Sequence, residues 1–405
     1  MKLGIALGWI VLCAFASSTQ AQFKPVPFPK DLGIPGFEFP APEATIDKWV
    51  AKDDITSIAG HAWGLWTGLN QDSGQVVGTE KLTVFETWNE RSELFGAGLA
   101  DAGPRKRIPK PLRQFRFEKG SRVPQDLVPG ASPLGFVKFD PTGADHIVKK
   151  KLLDATTLDN LLAPGKITKV PDFPATATSL KIEVVQANSS PADPGFFKLN
   201  VWPGPPAIPA AFGQDKWNTF IWIDLDPTHT STGDGSVGRG MDTRKPATTY
   251  NLQDFIHFKD SDGKTEIVTG MHVTTREILR WTWQSYWWTP NPAEPPAPSS
   301  KAIAAARPKQ LLALRAASHY AVTVSYSMRD SKDKPVFSYN PYLEASFSGL
   351  AGAFQFGVQT NCMSCHANAS YKGIRDAYVG NENVDIADPK FQGQVRLDFL
   401  YSLQP

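Results

Sequence analysis

The chain has 405 residues, of which 41% are hydrophobic and 20% are charged, with a formal net charge of +2. A chain of this length can bury a large core without disulfides and has room for two or three domains. Its nearly balanced charge argues against a surface built to bind nucleic acid or another polyanion.

Residues 1–21 have the layout of a secretory signal peptide. Lys2 precedes an apolar run over residues 3–15, and small and polar residues follow as far as Ala21. The run is too short to cross a bilayer as a helix, although a retained anchor is the alternative. We therefore expect an exported protein with no membrane span after processing. Loss of Lys2 and Cys13 would leave a charge of +1 and two cysteines.

The 34 proline and 32 glycine residues divide the chain into many short apolar segments, a rhythm typical of a β-rich fold with long loops. Regular β-helix-β alternation is missing, which favours antiparallel sheets, possibly a sandwich. The segments with the two-residue period of strands are 82–88, 180–185, 197–202, 220–225, 266–273 and 320–326.

Two segments before and within this β-rich region have helical patterns. Apolar residues recur at helical spacing over residues 54–69, with His61 beside the apolar stripe. A second helix is predicted over residues 141–152, because Asp140 is placed to cap it and Pro141 suits the first turn. The proline-rich stretch 23–42 is expected to form an extended arm.

Four of the twelve tryptophans fall within residues 281–288. This run can be a sheet face packed on the core, a wall beside a ligand, or a platform that binds a partner or a sugar. The proline- and alanine-rich stretch 289–308 then predicts a surface loop or linker. We place a domain boundary near residue 300, between a β-rich domain with some helices (22–300) and a C-terminal region (301–405).

The C-terminal region contains the motif Cys-x-x-Cys-His at Cys362, Cys365 and His366. Two thiols three residues apart can add to the two vinyl groups of one haem, and the adjacent imidazole can then bind the iron. A thioredoxin-like dithiol, a structural zinc site and a plain disulfide are the alternatives. Each is disfavoured, because only 39 residues follow the motif, no second cysteine pair remains, and so small a disulfide loop contributes little.

This segment resembles the c-type cytochromes over about the last 65 residues. The resemblance implies one covalent haem c on Cys362 and Cys365, with His366 as an iron ligand. It also implies a small α-helical frame, for which residues 341–356 and 395–403 are the candidate helices.

Small cytochromes of this family also carry a downstream methionine as the second axial ligand. No methionine follows Met363, so a distal ligand would have to come from upstream, unless the iron has an open face. The candidates are Met271, His272, His61, Met328 and His319.

The expected function is electron transfer by a monohaem protein in the periplasm, with a redox partner protein or a small-molecule electron donor or acceptor. A haem enzyme or sensor for peroxide or a gas, with an open iron site, is the alternative. A β domain that binds a partner or a sugar is a third hypothesis. The expected fold class is α+β, with a β-rich N-terminal region and a small helical haem segment.

Overall fold

A computed structural model describes residues 23–95, 112–113, 134–189, 194–200, 219–230, 233, 238–239, 249–260, 262–342, 361–373 and 383–405. The predicted signal peptide lies outside these residues. The helices are α1 (Glu43–Ala51), α2 (Ile55–Leu69), α3 (Pro141–Lys150), α4 (Ala155–Leu161), α5 (Lys301–Ala305), α6 (Lys309–Leu312) and α7 (Cys362–His366). The strands are β1 (Asp72–Val77), β2 (Glu80–Thr83), β3 (Asn89–Glu90), β4 (Leu112–Arg113), β5 (Leu134–Phe139), β6 (Thr168–Lys169), β7 (Thr178–Gln186), β8 (Phe196–Asn200), β9 (Thr219–Asp224), β10 (Gly238–Arg239), β11 (Tyr250–Asn251), β12 (His257–Lys259), β13 (Thr265–Thr275), β14 (Thr282–Trp288), β15 (Tyr320–Ser325), β16 (Ser370–Tyr371) and β17 (Val395–Arg396).

An eight-stranded antiparallel sheet forms the centre of the fold. Its main order is β15-β14-β13-β7-β5-β3, with β12 beside β13 and β4 beside β5. There are three smaller sheets among the described residues. The first pairs β1 with β2. In the second, β8, β10 and β11 pair with β9, and in the third, β16 and β6 pair with β17. The prediction of a β-rich, mainly antiparallel body with some helices is therefore confirmed. The predicted boundary near residue 300 falls between β14 and β15, which pair within one sheet.

One face of the central sheet is apolar and packs on helix α2. The Tyr286 hydroxyl donates to the Ala62 carbonyl oxygen at 2.5 Å, and the Trp66 ring stacks on the Tyr286 ring at 4.2 Å. Side chains directly opposite one another across neighbouring strands lie on the same face. One cross-strand row on this face is Ile182, Met271, Tyr286 and Val322.

The opposite face of the sheet is polar although its strands are buried. Both β14 and β15 are buried along their whole length. The two central rows on this face are Lys181, His272, Ser285 and Thr323, and Ser179, Thr274, Trp283 and Ser325. The simple alternation of apolar-inward and polar-outward residues therefore does not apply, because protein covers both faces.

The two helices predicted from periodicity are both present. Helix α2 begins after Asp54, whose carboxylate accepts a hydrogen bond from the Ser57 amide at 3.1 Å. Helix α3 begins at Pro141 and ends at Lys150, slightly before the predicted end, because Lys151 adopts a left-handed conformation with φ of 52°.

The N-terminal arm contains no helix or strand from Phe23 to Ala41 and packs against α2. Two glycines on α2 make this contact possible. A Cβ atom at Gly64 would lie 2.0 Å from the Phe37 ring, and one at Gly68 would lie 2.2 Å from the Phe28 ring. Glycine at these positions therefore lets aromatic rings of the arm lie directly on the helix backbone.

The predicted strand over residues 82–88 is wrong beyond Thr83. There β2 ends and a 3-10 turn covers Phe85–Thr87. The Glu86 carboxylate accepts hydrogen bonds from the Thr83 amide at 2.8 Å and from the Thr83 hydroxyl at 2.9 Å. These local side-chain bonds close the turn in place of a strand ladder.

The predicted helix over residues 395–403 is also wrong. Val395 and Arg396 form β17, and Asp398 and Phe399 have positive φ angles of 46° and 68°, which no α-helix accommodates. A short 3-10 turn, Tyr401–Leu403, ends the segment. The other candidate helix, residues 341–356, lies outside the described residues apart from a turn at 341–342.

The tryptophan run forms β14 and is buried, with Trp283 the most exposed of its four tryptophans at 3%. The hypothesis of an exposed aromatic platform for a partner or a sugar is therefore wrong. The loop predicted over residues 289–308 contains α5, and Trp63 of α2 donates a hydrogen bond to the Ile303 carbonyl oxygen at 2.8 Å. Within the described ranges, none of the helices has the length and apolar character needed to cross a membrane.

We predict that Asp140→Ala lowers the free energy of unfolding by about 2 kcal/mol at pH 7. The buried Asp140 carboxylate accepts hydrogen bonds from the amides of Thr142, Gly143 and Thr178, which joins α3 to β7. Urea unfolding measures the effect. The control is Asp154→Ala, which removes an exposed cap on α4 and should cost under about 1 kcal/mol.

The stability difference between the wild type and Asp140→Ala should also depend on pH, with a sign that follows from the pKa of Asp140. Burial raises the pKa of Asp140 to about 6, so the folded state binds this proton more tightly than the unfolded state does. Ionisation between about pH 4 and pH 6 therefore lowers the stability of the wild type alone. The difference between wild type and Asp140→Ala should shrink as the pH rises from 4 to 7, and a difference that grows would contradict the burial effect.

Candidate cofactor site

The predicted haem motif forms the short helix α7, which begins at Cys362 and ends at His366. Asn361 caps this helix, because its Oδ1 atom accepts a hydrogen bond from the Ser364 amide at 3.0 Å. One turn of helix thus carries both thiols and the imidazole, as the sequence spacing predicts.

Asn361 also fixes α7 to the end of strand β15. Its side chain is fully buried. The Oδ1 atom accepts a second hydrogen bond from the Ser325 hydroxyl at 2.7 Å. The Nδ2 group donates to the carbonyl oxygens of Ser327 at 3.0 Å and Val336 at 2.8 Å. The motif therefore lies on the polar face of the central sheet, to which Ser325 belongs.

The two cysteines differ in their surroundings. Cys362 is 7% exposed, and its thiol donates a hydrogen bond to the Ser338 carbonyl oxygen at a distance of 3.3 Å. Cys365 is partly exposed, and no disulfide joins it to Cys362. In the part of the chain that the structure describes, no group of three or more His, Cys, Asp or Glu residues is arranged to hold a metal ion.

The His366 ring is held on two sides by aromatic rings and on one edge by a backbone carbonyl. Its ring centroid lies 4.2 Å from that of Trp283 and 5.3 Å from that of Tyr401. The Nδ1–H group donates to the Phe399 carbonyl oxygen at 2.8 Å. Because a neutral imidazole carries one proton, this bond leaves the lone pair on Nε2.

Burial lowers the pKa of His366 to about 3, so the ring is neutral at neutral pH. Metal-bound histidines commonly donate their second N–H to a backbone carbonyl or carboxylate, which fixes the tautomer and the ring orientation. Two neighbouring thiols and a neutral imidazole with Nε2 as its acceptor atom fit the donor set of a c-type haem.

Phe399 presents its carbonyl oxygen because of the local backbone conformation. Asp398 and Phe399 both have positive φ angles, and the Asp398 carboxylate pairs with Arg276 at 3.2 Å. Arg276 follows β13 directly, so the central sheet also positions the hydrogen-bond acceptor of His366. This backbone contact has no signature in the sequence.

The structure separates the distal-ligand candidates by the face on which they lie. Met271 faces the apolar side, opposite Tyr286, and is therefore turned away from α7. His61 lies on α2 on that same side, where Tyr326 and Glu277 contact both of its ring nitrogens. His272 lies on the polar face with Trp283, which contacts His366.

The two remaining candidates have other partners. The Met328 sulfur accepts hydrogen bonds from Arg280 Nη1 at 3.4 Å and from the Val384 amide at 3.2 Å. His319 lies beside Asp254, with its Nε2 atom 3.8 Å from the carboxylate. Of the five candidates, His272 is thus the one that shares a face with the motif.

His272 belongs to a buried charged cluster that sequence reasoning missed. Glu183 Oε1 lies 3.2 Å from His272 Nε2 and 3.3 Å from Lys181 Nζ. Burial raises the pKa of Glu183, but the charges of Lys181 and His272 outweigh it and hold the pKa below its ordinary value. The cluster also lies within electrostatic reach of His366, because after burial the charges of His272 and Lys181 help to lower the His366 pKa.

Glu183 has a second feature typical of a functional group. It is 2% exposed, and its Oε2 atom has no hydrogen-bond partner among the described residues. A buried carboxylate oxygen without a partner is costly to maintain. The sequence did carry a signal for this cluster, since Lys181 and Glu183 are two charges in the otherwise apolar segment 180–185.

A cleft of about 370 Å³ opens beside α7. The cleft is lined by Met363 of the motif and by residues outside the motif that include Arg280, Tyr326 and Met328. Comparison of the chain with protein-family models, with curated proteins and with solved structures found no match.

We predict that Asn361→Ala lowers the free energy of unfolding by about 2–4 kcal/mol, because four buried hydrogen bonds are lost together. The control is Asn70→Ala, which removes a bond to the Trp66 carbonyl oxygen far from the motif and should cost about 1 kcal/mol.

Urea unfolding measures both variants in protein produced without haem. The rate at which Cys362 reacts with a thiol reagent should rise only in Asn361→Ala, since only that change releases α7. Equal reactivity in the two variants would contradict the anchoring role of Asn361.

Proposed function

We propose that this chain is an exported c-type haem protein that transfers electrons in the periplasm. One haem would be bound covalently by Cys362 and Cys365, with His366 as the axial ligand of its iron. The observation that carries the proposal is the hydrogen bond from His366 Nδ1–H to the Phe399 carbonyl oxygen, which leaves Nε2 as a neutral donor beside two thiols. When bound, the haem supplies an iron that cycles between its ferrous and ferric states.

The residues around His366 would tune this iron. The bond to Phe399 increases the basicity of the imidazole and so favours the ferric state. Trp283 and Tyr401 enclose the ring and limit the access of water, which acts in the opposite direction. The electron would be exchanged with a redox partner protein or a small-molecule donor or acceptor. The signal-peptide pattern of residues 1–21 supports the periplasmic location.

A second function is supported by the buried cluster of Lys181, Glu183 and His272. Such a polar group beside an iron can hold a water molecule or move a proton to a bound ligand. A simple electron carrier has no need of it. A haem enzyme or sensor that binds peroxide or a gas at an open iron face would use it, with Glu183 and His272 as the acid-base pair.

We predict that the mature protein isolated from a periplasm has the mass of the chain plus one haem, and that the haem survives acid-acetone extraction. Cys362→Ser combined with Cys365→Ser should abolish the covalent haem, because no thioether bond can form. Met363→Leu, which changes a residue between the two thiols, should retain it. Free or mutually oxidised thiols in the wild type would overturn the proposal.

We also predict that His272→Ala changes the absorption spectrum and spin state of the ferric protein, whereas Met271→Leu leaves both unchanged. The reason is that the two side chains point to opposite faces of β13. Binding of carbon monoxide to the ferrous wild type separates the two functions: a low-spin iron that ignores it supports the carrier, and a high-spin iron that binds it supports the enzyme or sensor. A spectral change in Met271→Leu alone would contradict the placement of the haem.

A further inference from the structure

Three buried side chains on the apolar side of the sheet form a chain of hydrogen bonds. The Tyr326 hydroxyl lies 2.6 Å from His61 Nδ1, and His61 Nε2 lies 3.1 Å from Glu277 Oε1. Tyr326, His61 and Glu277 are each 4% exposed. The triad is therefore a phenol, an imidazole and a carboxylate in a row, shielded from water.

The neighbours of the triad decide the direction of each bond. The Glu277 carboxylate only accepts hydrogen bonds, so His61 donates to it through Nε2–H. The Tyr326 oxygen accepts a hydrogen bond from Gln284 Nε2 at 2.8 Å. An imidazole with its one proton on Nε2 has a lone pair on Nδ1, which accepts a hydrogen bond from the Tyr326 O–H group. The Glu277 carboxylate is held in place by the Ala41 amide at 2.6 Å. The phenolic O–H group thus points at Nδ1 of His61, while Nε2 of the same ring contacts the Glu277 carboxylate.

Two other buried tyrosines of the same sheet lack this arrangement. The hydroxyl of Tyr286 donates to the Ala62 carbonyl oxygen at 2.5 Å, and that of Tyr320 donates to the Val268 carbonyl oxygen at 2.6 Å. A backbone carbonyl is a hydrogen-bond acceptor but does not take up a proton at ordinary pH. Tyr326 therefore differs from them, because its partner, the His61 imidazole, can take up a proton.

Strands β14 and β15 connect this triad to the predicted haem motif through neighbouring residues. On β14, Trp283 contacts His366 on the polar face, while Gln284 contacts Tyr326 on the apolar face. Ser325 and Tyr326 are neighbours at the end of β15. Ser325 contacts Asn361, and Tyr326 contacts His61. Tyr326 also lines the cleft beside Met363 of the motif. The phenol and the motif therefore contact neighbouring residues of the same two strands.

We propose that Tyr326 is a redox-active residue that gives up one electron and one proton together, with His61 as the proton acceptor. The inference rests on the second of the two functions above for its natural oxidant, which is the bound haem after oxidation by a hydroperoxide. The O–H bond of Tyr326 breaks, its proton goes to His61 Nδ1, and its electron goes to the haem site. Each hydrogen peroxide molecule takes up two electrons and two protons and yields two water molecules. Tyr326 supplies one of the electrons, the redox partner protein supplies the other, and both protons come from water, because the phenolic proton stays on His61.

The environment favours joint loss of the proton and electron over simple ionisation. Burial, and next the charge of Glu277, raise the pKa of Tyr326 well above its ordinary value, so no phenolate forms at neutral pH. Loss of an electron makes a phenol strongly acidic, and His61 accepts the proton without any movement of the backbone. The resulting imidazolium is stabilised by Glu277, which offsets the cost of a buried charge.

The test uses the full mature protein and a flash-generated ruthenium(III) polypyridyl oxidant, with the long-lived tyrosyl signal read by electron paramagnetic resonance. This oxidant needs no haem, so the result is independent of haem attachment. We expect a tyrosyl signal in the wild type that Tyr326→Phe loses. The matched control Tyr286→Phe, which removes an equally buried hydroxyl, should keep the signal. His61→Gln, which keeps a hydrogen-bond acceptor but removes the base, should lower the yield roughly tenfold or more.

A second measurement on the unaltered protein guards against variants that fold poorly. Formation of the signal should slow in deuterium oxide, because the proton moves with the electron. A full signal in Tyr326→Phe, an undiminished yield in His61→Gln or the absence of an isotope effect would overturn the inference. Hydrogen peroxide added to the haem-loaded protein should produce the same signal. If only this peroxide arm fails, the second function, a haem enzyme that binds peroxide, is wrong, whereas the redox role of Tyr326 stands.

Discussion

The four hydrogen bonds of the Asn361 side chain are the contacts on which the position of the candidate site depends. They cap α7 and fix it to the residues at and after the end of β15, where water does not compete for them. From that anchor the remaining contacts follow. His366 lies on Trp283 of the neighbouring strand, and its Nδ1–H group reaches the Phe399 carbonyl oxygen. A metal-binding imidazole needs this kind of fixed orientation, because the second hydrogen bond keeps the proton on one nitrogen and directs the lone pair of the other nitrogen at the metal.

The central sheet separates two chemical environments. Its apolar side holds α2 and the buried triad of Tyr326, His61 and Glu277, while its polar side holds α7 and the cluster around Glu183. Because consecutive residues of a strand point to opposite faces, a single peptide unit links the two sides, as Trp283 and Gln284 do. The sheet therefore connects His366 to the phenol of Tyr326 through Trp283 and Gln284, by a ring contact, one peptide unit and a hydrogen bond.

The sequence predicted the parts of the fold that depend on local pattern. Helices α2 and α3 were found from periodicity and capping residues, and the central strands β7, β13 and β15 from their alternation. The segment 395–403 was predicted as a helix from the spacing of Val395, Phe399 and Leu403, but strand pairing and the positive φ angles at 398 and 399 prevail there. Tertiary pairing commonly overrides a short periodic signal of this kind.

The candidate site was predictable only in the part whose residues are adjacent in sequence. Cys362, Cys365 and His366 lie together because they are adjacent in sequence. Asn361 had a signal as a favoured capping residue, and Lys181 and Glu183 had one as charges in an apolar strand. The backbone carbonyl of Phe399 had none, since a main-chain acceptor has no residue type. The choice of His272 over Met271 needed the register of β13 against β14, which a single sequence does not supply.

The most direct test of the account is a high-resolution crystal structure of the protein purified from a periplasm. The account predicts two thioether bonds from the sulfurs of Cys362 and Cys365 to a single porphyrin. It also predicts iron on Nε2 of His366, with Nδ1 still bonded to the Phe399 carbonyl oxygen. Sulfurs joined to each other, or a His366 ring that contacts no iron, would contradict it.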